Sequence, residues 1–167
     1  LLLKISEDLA TGKYKTSAYR NKTIVDSGKE RLISKLPYCP DRIVHWALML
    51  QLEPVFISLF SDYSHAAITN RGIHTALKQT RGLVVRHPFC LKIDVKKYFP
   101  HIDHEILKEA CRSLSDDEEL LNVIFEIIDS FPGGVPIGNY TSQYLANFYL
   151  TAFDKWLEGR RYEFCRY

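Results

Sequence analysis

The sequence LKIDVKKYFPHI, residues 91–102, decides the fold that we predict for this chain. Apolar and polar residues alternate over residues 91–96, which is the period of a strand with one buried face. The aromatic pair and proline at residues 98–100 end this strand, and Asp103 can N-cap the helix that follows. Asp94 then lies on the open face, where a rigidly held carboxylate suits an oxygen-preferring ion such as Mg²⁺. Taken alone, an aspartate on a solvated strand face explains the pattern more simply.

The composition predicts an ordinary soluble globular protein. Its 167 residues are 46% hydrophobic and 25% charged, enough for one domain, or one domain and a small lobe, with a real core. No apolar run is as long as a membrane span, no signal peptide is visible, and the start at Leu1 suggests an excised fragment. Scattered cysteines indicate reduced thiols in a cytoplasmic protein, and neither a disulfide framework nor a zinc site. They are Cys39, Cys90, Cys111 and Cys165.

Charge is distributed unevenly along the chain. Residues 1–88 hold 13 Lys and Arg against 7 Asp and Glu, whereas residues 89–167 hold 9 against 13. A basic half joined to an acidic half suits a protein that grips a polyanion on one side and binds cations on the other. Uneven surface charge in a soluble protein is the competing explanation.

Residues 21–36 are predicted to form a β-hairpin. The turn residues Asp-Ser-Gly at positions 26–28 separate two β-favouring flanks. Lys29 and Arg31 would then lie at or beside the hairpin tip, where two cations can close over phosphate oxygens. Solvated charges at a hairpin tip are the alternative.

An apolar helix is predicted at residues 42–52, with Asp41 as its N-cap. The helix is apolar nearly all the way round, so it should be a core element that kinks or restarts at Pro54. His45 is predicted to be a packed or capping histidine and not a ligand. Arg42, at the helix start, should be exposed and available to a partner.

A spaced basic series follows the polar loop at residues 62–70, on and beside a short helix predicted at residues 73–78. Such spacing can track a nucleic-acid backbone, and a solvated helix face explains it equally well. The series comprises Arg71, Lys78, Arg81 and Arg86.

The second half continues with a helix at residues 104–114 and an acidic cluster at residues 116–119, which is predicted to cap the next helix and not to bind metal. Residues 131–143, FPGGVPIGNYTSQ, form a glycine-rich loop that lets backbone approach a ligand closely. A helix over residues 141–157 would point its N-terminal amides at the same space. Residues 161–167 predict the start of another strand.

Four stretches, in order, resemble the motifs of prokaryotic reverse transcriptases related to group II intron proteins. Residues 28–48 and 71–77 are similar to the first two fingers motifs. Residues 92–104, KIDVKKYFPHIDH, are similar to the catalytic motif of the palm, and residues 134–150, GVPIGNYTSQYLANFYL, to the motif that contacts the incoming nucleotide. The PIGNYTSQ wording is closest to the enzymes of diversity-generating retroelements. Intron-encoded relatives usually have glutamine where this chain has Ile137.

The resemblance implies an α+β fold, the right-hand polymerase, in an RNA-directed DNA polymerase that adds nucleotides to a primer 3′-hydroxyl. Residues 1–88 would form basic fingers, and residues 89–167 a partial palm of antiparallel strands packed on helices. The family's other two catalytic aspartates lie in a Tyr-x-Asp-Asp turn, and Arg166-Tyr167 resembles its approach. Because the chain ends before that turn, we expect this polypeptide alone not to polymerise.

The resemblance also implies roles for individual residues. Asp94 would bind two Mg²⁺ ions, helped by the backbone carbonyl of Val95. The residues that contact the incoming dNTP would be Lys29, Arg31, Phe99, Ile137, Gly138 and Gln143. The residues that contact template or primer would be Arg42, Arg71 and Asn139. In this scheme the two hairpin cations neutralise the triphosphate, the aromatic ring excludes a ribose 2′-hydroxyl, and Ile137 lies beside the nascent base pair.

The predicted partners are an RNA template, a DNA or RNA primer and dNTPs, with no membrane. Exposed palm edges predict a homodimer, since unpaired strand edges recruit partners. Two alternatives remain open: a noncatalytic nucleic-acid-binding or protein-priming module that reuses the fold, and a plain structural domain.

Overall fold

The computed structural model describes residues 1–26 and 28–167, with the backbone but not the side chain of Asp26. Its helices are α1 (Leu2–Ala10), α2 (Ile43–Leu59), α3 (Ile73–Arg86), α4 (His104–Cys111), α5 (Glu118–Asp129), α6 (Tyr140–Tyr149) and α7 (Thr151–Gly159). Its strands are β1 (Arg20–Asp26) and β2 (Lys29–Lys35), with a π-helical turn at Tyr38–Arg42 and a 3-10 turn at Phe99–His101. Helices combined with an antiparallel strand pair agree with the predicted α+β class.

The predicted hairpin is confirmed. β1 and β2 pair antiparallel from Arg20 opposite Lys35 to Asp26 opposite Lys29. Gly28 adopts φ 77°, a left-handed conformation that glycine tolerates at no steric cost. Ser27, the middle residue of the predicted turn, lies outside the described residues. Lys29 therefore begins β2 at the tip of the hairpin, as predicted.

The main core is built from both halves of the chain. α2 packs against α6, and α4 packs against both α5 and α6. Its buried side chains include Met49, Leu52, Phe56, Leu107, Ile124, Ile128, Tyr144 and Phe148. Because residues 1–88 and 89–167 share this core, their division into fingers and palm stays a prediction.

α1 was not predicted from the sequence. Ile5 is buried on this helix and packs with Tyr14, Val44 and Ile127 in a second, smaller cluster. Leu1, Leu2 and Leu3 are exposed, so the apolar residues at the start of the chain do not form the buried face of α1.

α2 is longer than predicted and is not ended by Pro54. Proline has no backbone N–H, so Pro54 cannot donate the helical hydrogen bond to the Leu50 carbonyl. Both residues lie on the exposed side of the helix. The second half of α2 buries Phe56, and Phe60 is buried just beyond the helix. Burial of these aromatic rings outweighs the local cost of proline, which is about 3 kcal/mol.

The prediction that Asp41 caps α2 is wrong. Asp41 is fully buried, and its Oδ1 accepts hydrogen bonds from Tyr14 Oη at 2.9 Å and from the Ser17 amide at 3.0 Å. The carboxylate thus ties the segment after α1 to the start of α2. Desolvation by burial raises the pKa of Tyr14, so the hydroxyl stays a donor to this carboxylate.

His45 is a packed histidine, as predicted. It is 4% exposed, and its Nδ1 lies 3.0 Å from the Thr141 hydroxyl of α6. Burial lowers the pKa of His45 from 6.5 to about 4, although the Asp41 carboxylate opposes the shift.

The stability of the fold should therefore depend on the protonation of His45. Between pH 6.5 and about 4 the unfolded chain binds a proton at His45 that the folded chain excludes. The stabilisation is complete above pH 6.5 and is lost as the pH falls toward 4, with a slope of up to about 1.4 kcal/mol per pH unit. Urea unfolding at several pH values measures this slope, and His45→Gln should make it shallower. Equal slopes for the two proteins would contradict the prediction.

Two predicted caps in the second half are confirmed. The Asp103 carboxylate accepts from the Ile106 amide at 3.0 Å and begins α4. The Asp117 carboxylate accepts from the amides of Glu119 and Leu120 at the start of α5. The acidic cluster at residues 116–119 therefore contains a helix cap, as its position predicted.

Several further element boundaries differ from the prediction, including the end of α4 at Cys111 and not at residue 114. α3 extends to Arg86 and not only to residue 78, and the single helix predicted at residues 141–157 is two helices that meet at Leu150. Residues 161–167 form only one isolated bridge, between Arg166 and Ser64.

The strand predicted at residues 91–96 is absent from the described residues. Leu91, Ile93 and Val95, whose alternation predicted a buried face, are 83%, 71% and 55% exposed. A strand needs a hydrogen-bonded neighbour, and the described strands pair only with each other. Apolar and polar residues alternate at residues 91–96, but no described strand pairs with this segment, and its apolar side chains stay exposed.

Within the part of the chain that the structure describes, none of the helices has both the length and the apolar character needed to cross a membrane.

Candidate active site

The glycine-rich loop between α5 and α6 is anchored at two points, and the first anchor is the turn that contains Phe99. The Val135 amide donates to the Phe99 carbonyl at 3.0 Å, and His104 Nε2 donates to the Gly134 carbonyl at 2.6 Å. Gly134 has φ 65°, and a Cβ added there would lie 2.2 Å from the Phe99 oxygen. Glycine at this position is therefore required both for the backbone conformation and for the close approach.

Gly134→Ala should displace the loop from Phe99 and destabilise the fold by at least about 1–2 kcal/mol, the cost of a left-handed alanine alone. Gly133 is a matched control because it has φ 85° with no atom within 4 Å of an added Cβ. Gly133→Ala carries the conformational cost without the clash, so it should lower the free energy of unfolding less. Chemical denaturation of both variants measures the difference. Equal losses would show that the contact with Phe99 is unimportant.

The second anchor joins the loop to the hairpin. The Ser34 amide donates to the Ile137 carbonyl at 2.9 Å, and Asn139 Nδ2 donates to the Ser34 carbonyl at 3.4 Å. A Cβ on Gly138, which has φ 118°, would lie 2.5 Å from Ile33 Cγ2. The loop therefore bridges β2 and the Phe99 turn, and brings residues 33–34, 99 and 134–139 together.

Lys29 and Arg31 are on β2, the strand that carries this second anchor. Side chains on a strand alternate between faces, so Lys29, Arg31 and Ile33 lie on one face of β2. Ile33 contacts the loop at Gly138, and the two cations follow along the strand toward the tip. This face therefore carries positive charge from the glycine-rich loop outward.

Asp94 makes none of the hydrogen bonds that join the loop to β2 and to the Phe99 turn. It and Val95 belong to the exposed segment before the Phe99 turn, and the described side chains include no cluster of three or more His, Cys, Asp or Glu that could hold a metal ion. A carboxylate and a backbone carbonyl are oxygen donors of the kind that Mg²⁺ prefers. The two residues therefore fit the ion by donor type, but they supply only part of a coordination shell.

The residues predicted to contact template or primer have different surroundings. Arg42 is exposed, as predicted. Arg71 donates to the carbonyls of Ser61 and Ser64 and pairs with Asp62 at 3.0 Å, so it holds the loop after α2 together. The remaining predicted residues near the loop differ in exposure: Gln143 is exposed, Ile137 is half-buried, and Asn139 is buried.

An aromatic pair near the second anchor was missed by the sequence analysis. Trp46 of α2 lies against Tyr140 of α6, with ring centroids 5.3 Å apart. Because α2 is apolar nearly all round, its sequence does not tell which side chains reach the surface. The sequence offers one signal for the exposed face of α2, which is the four-residue spacing of Arg42, Trp46 and Leu50. In the structure all three residues are exposed.

Comparison with known proteins gave relatives along nearly the whole chain, although no protein-family model matches it. The chain is 27% identical to the COX1/OXI3 intron 1 protein of Saccharomyces cerevisiae, over 94% of this chain and 20% of that protein. It is 26% identical to protein YkfC of Escherichia coli, over 93% of this chain and 45% of YkfC. It is 25% identical to the group II intron-encoded protein LtrA of Lactococcus lactis, over 98% of this chain and 29% of LtrA. The chain thus spans between a fifth and a half of the length of these relatives.

Proposed function

We propose that this chain, which is related to the proteins encoded by group II introns, forms the nucleotide-binding part of an RNA-directed DNA polymerase. The relationship confirms the resemblance found in the sequence. One observation supports the proposal most strongly: the glycine-rich loop joins β2 of the hairpin to the Phe99 turn. These segments carry three of the four motifs on which the resemblance rests.

The proposed nucleotide site uses the positive face of β2. Lys29 and Arg31 neutralise the triphosphate, which is a positioning and charge role typical of phosphoryl transfer. Phe99 excludes a ribose 2′-hydroxyl by its bulk, which selects deoxynucleotides. The loop residues Ile137 and Gly138 border the nascent base pair, and Gln143 extends the contact from α6.

Asp94 and the Val95 carbonyl are the proposed Mg²⁺ ligands. When bound, Mg²⁺ supplies charge stabilisation for the attacking and leaving oxygens of an in-line displacement. The role of Asp94 is to hold that charge beside the primer 3′-hydroxyl. Its exposed position leaves it accessible to an ion and a substrate.

Template and primer would contact the cationic and polar residues around the same region, Arg42, Arg71 and Asn139. For Arg71 and Asn139 the observed hydrogen bonds indicate a second, structural role, because Arg71 holds the loop after α2 and Asn139 holds β2 at Ser34. Arg42 is the exposed cation among the three.

Primer extension tests the proposal. The full-length protein that contains this chain, given an RNA template, an annealed DNA primer and Mg²⁺, should extend the primer with dNTPs and much less with rNTPs. Phe99→Ala should reduce this sugar discrimination without reducing affinity for the template-primer.

A protein that binds template-primer with a steep salt dependence, but extends no primer, would overturn the polymerase in favour of a noncatalytic nucleic-acid-binding module.

A further inference from the structure

An exposed aromatic ring occupies the surface of α2 beside the proposed nucleotide site. Trp46 is 57% exposed, an unusual position for the largest apolar side chain. Arg42 and Leu50 lie one helical turn to either side of it, on the same face, since residues four apart are neighbours on a helix surface. The face thus presents a cation, a broad ring and an aliphatic side chain in a row.

The ring of Trp46 is supported from within the fold. It lies against Tyr140, and Tyr140 contacts Tyr144 edge-on at 5.4 Å. Tyr144 is 2% exposed and contacts Phe56 in the core at a tilted angle, with ring centroids 5.9 Å apart. The hydroxyls of both tyrosines donate to Glu53, Tyr140 at 2.9 Å and Tyr144 at 2.6 Å. Trp46 is therefore held in place by an aromatic series that begins in the core.

The second tryptophan of the chain provides a contrast. Trp156, 48% exposed, stacks on Phe153 at 5.9 Å, and the Arg160 guanidinium lies 4.6 Å from its ring centroid. It also contacts Tyr162 at 6.2 Å, so its described ring contacts come from α7 and the residues just after it. Among the rings that contact Trp46, by comparison, the structure shows Tyr140 alone, within the described residues.

The surroundings of Trp46 match a polyanion with planar groups. Tyr140 follows directly after Asn139, whose side chain binds β2, so the ring borders the loop proposed to contact the nucleotide. Arg42 supplies positive charge one turn before Trp46. The Glu53 carboxylate lies near the other end, but it already accepts hydrogen bonds from Thr69, Tyr140 and Tyr144. Charge complementarity with phosphate therefore favours the Arg42 end.

We propose that Trp46, supported by Tyr140, stacks on a base of the single-stranded RNA template, while Arg42 binds a phosphate of the same strand. Stacking on an aromatic ring tolerates any base, because every base has a π-face, and an adjacent cation tracks the backbone. The inference rests on the proposed function, since it assigns the template's path beside the nucleotide site. It gives the full-length protein a way to hold unpaired template bases without selecting their sequence.

Binding of overhangs with and without bases tests the stacking. The full-length protein is titrated with an RNA template–DNA primer duplex that carries a single-stranded uridine overhang, and with the same duplex carrying an abasic overhang. The parent should prefer the base-bearing overhang about 10-fold. Trp46→Ala should abolish this preference, Trp46→Phe should keep most of it, and the control Trp156→Ala should keep all of it. Far-UV circular dichroism confirms that each variant is folded.

Two further measurements separate the ring from the cation. RNA should quench tryptophan fluorescence, and Trp46→Phe should remove that quenching while Trp156→Phe retains it. Arg42→Gln should reduce the slope of log affinity against log salt by about 0.7, whereas Trp46→Ala should leave the slope unchanged.

Two outcomes distinguish failure of this inference from failure of the proposed function. A parent that extends primers but shows no preference for the base-bearing overhang, or a Trp46→Ala variant that keeps the preference, overturns the stacking alone. A parent that neither binds nor extends the template-primer overturns the proposed function and the stacking with it.

Discussion

Asp94→Asn is expected to lower the primer-extension rate of the full-length protein at least about 1,000-fold, with little change in template-primer affinity. A metal clamp contributes several kcal/mol of transition-state stabilisation, and each 1.36 kcal/mol is a factor of ten in rate. Asparagine keeps the shape of the side chain but supplies a neutral and weaker metal ligand. Because Asp94 is exposed, the substitution should not change the stability of the fold.

Asp116→Asn is the matched control, since Asp116 is also an exposed aspartate but lies in the acidic cluster before α5. Single-turnover extension at saturating template-primer measures the rate for both variants. An Asp94→Asn protein that retains a tenth or more of the parental rate would remove Asp94 from the proposed metal site.

Asp154→Ala is expected to destabilise the fold by about 3–5 kcal/mol, the usual cost of leaving a buried charge uncompensated. Asp154 is fully buried on α7 and accepts from Arg166 Nη2 at 2.6 Å and from the Ser64 hydroxyl at 2.9 Å. Arg166 also donates to Asn147 of α6, and its side chain is 18% exposed. Removal of the carboxylate would leave this guanidinium without its counterion and the Ser64 hydroxyl without its acceptor.

Glu163→Ala is a control on the same segment. Glu163 pairs with Arg86 at 2.8 Å, but both side chains are substantially exposed, so the substitution should change stability far less. Hydrogen exchange gives a local measurement, because the Arg166 amide donates to the Tyr63 carbonyl at 2.8 Å. That amide should lose protection in Asp154→Ala and keep it in Glu163→Ala. Equal protection in the two variants would show that the buried ion pair does not hold this segment.

Several elements could be predicted from residues that lie close together in the sequence. The hairpin followed from an Asp-Ser-Gly turn between β-favouring flanks, and its register places Lys29 at the tip as predicted. The caps at Asp103 and Asp117 followed from a carboxylate placed just before a helix. In each case the signal and the structure lie within a few residues of each other. The resemblance to group II intron-like reverse transcriptases also came from short motifs, and the relatives confirm it.

Other features depended on residues distant in sequence. Asp41 had the position of a cap, yet Tyr14 and Ser17 recruit its carboxylate from more than 20 residues away. Pro54 was expected to kink or restart α2, but burial of Phe56 against α6 keeps one helix running through it. The alternation at residues 91–96 could not specify a strand by itself, because strand formation requires a partner that the described residues do not supply.

The sequence by itself determined the hairpin, the caps at Asp103 and Asp117, the glycines of the loop between α5 and α6 and the relationship to group II intron-encoded proteins. Each depends on backbone conformation or hydrogen bonding within a few residues, or on motifs that can be compared directly. Only the tertiary structure decided that the loop bridges β2 and Phe99, that Asp41 and Asp154 are buried acceptors, and that Trp46 faces outward. Those outcomes are set by which apolar surfaces meet in the core, and a helix that is apolar all round can meet its neighbours on any face.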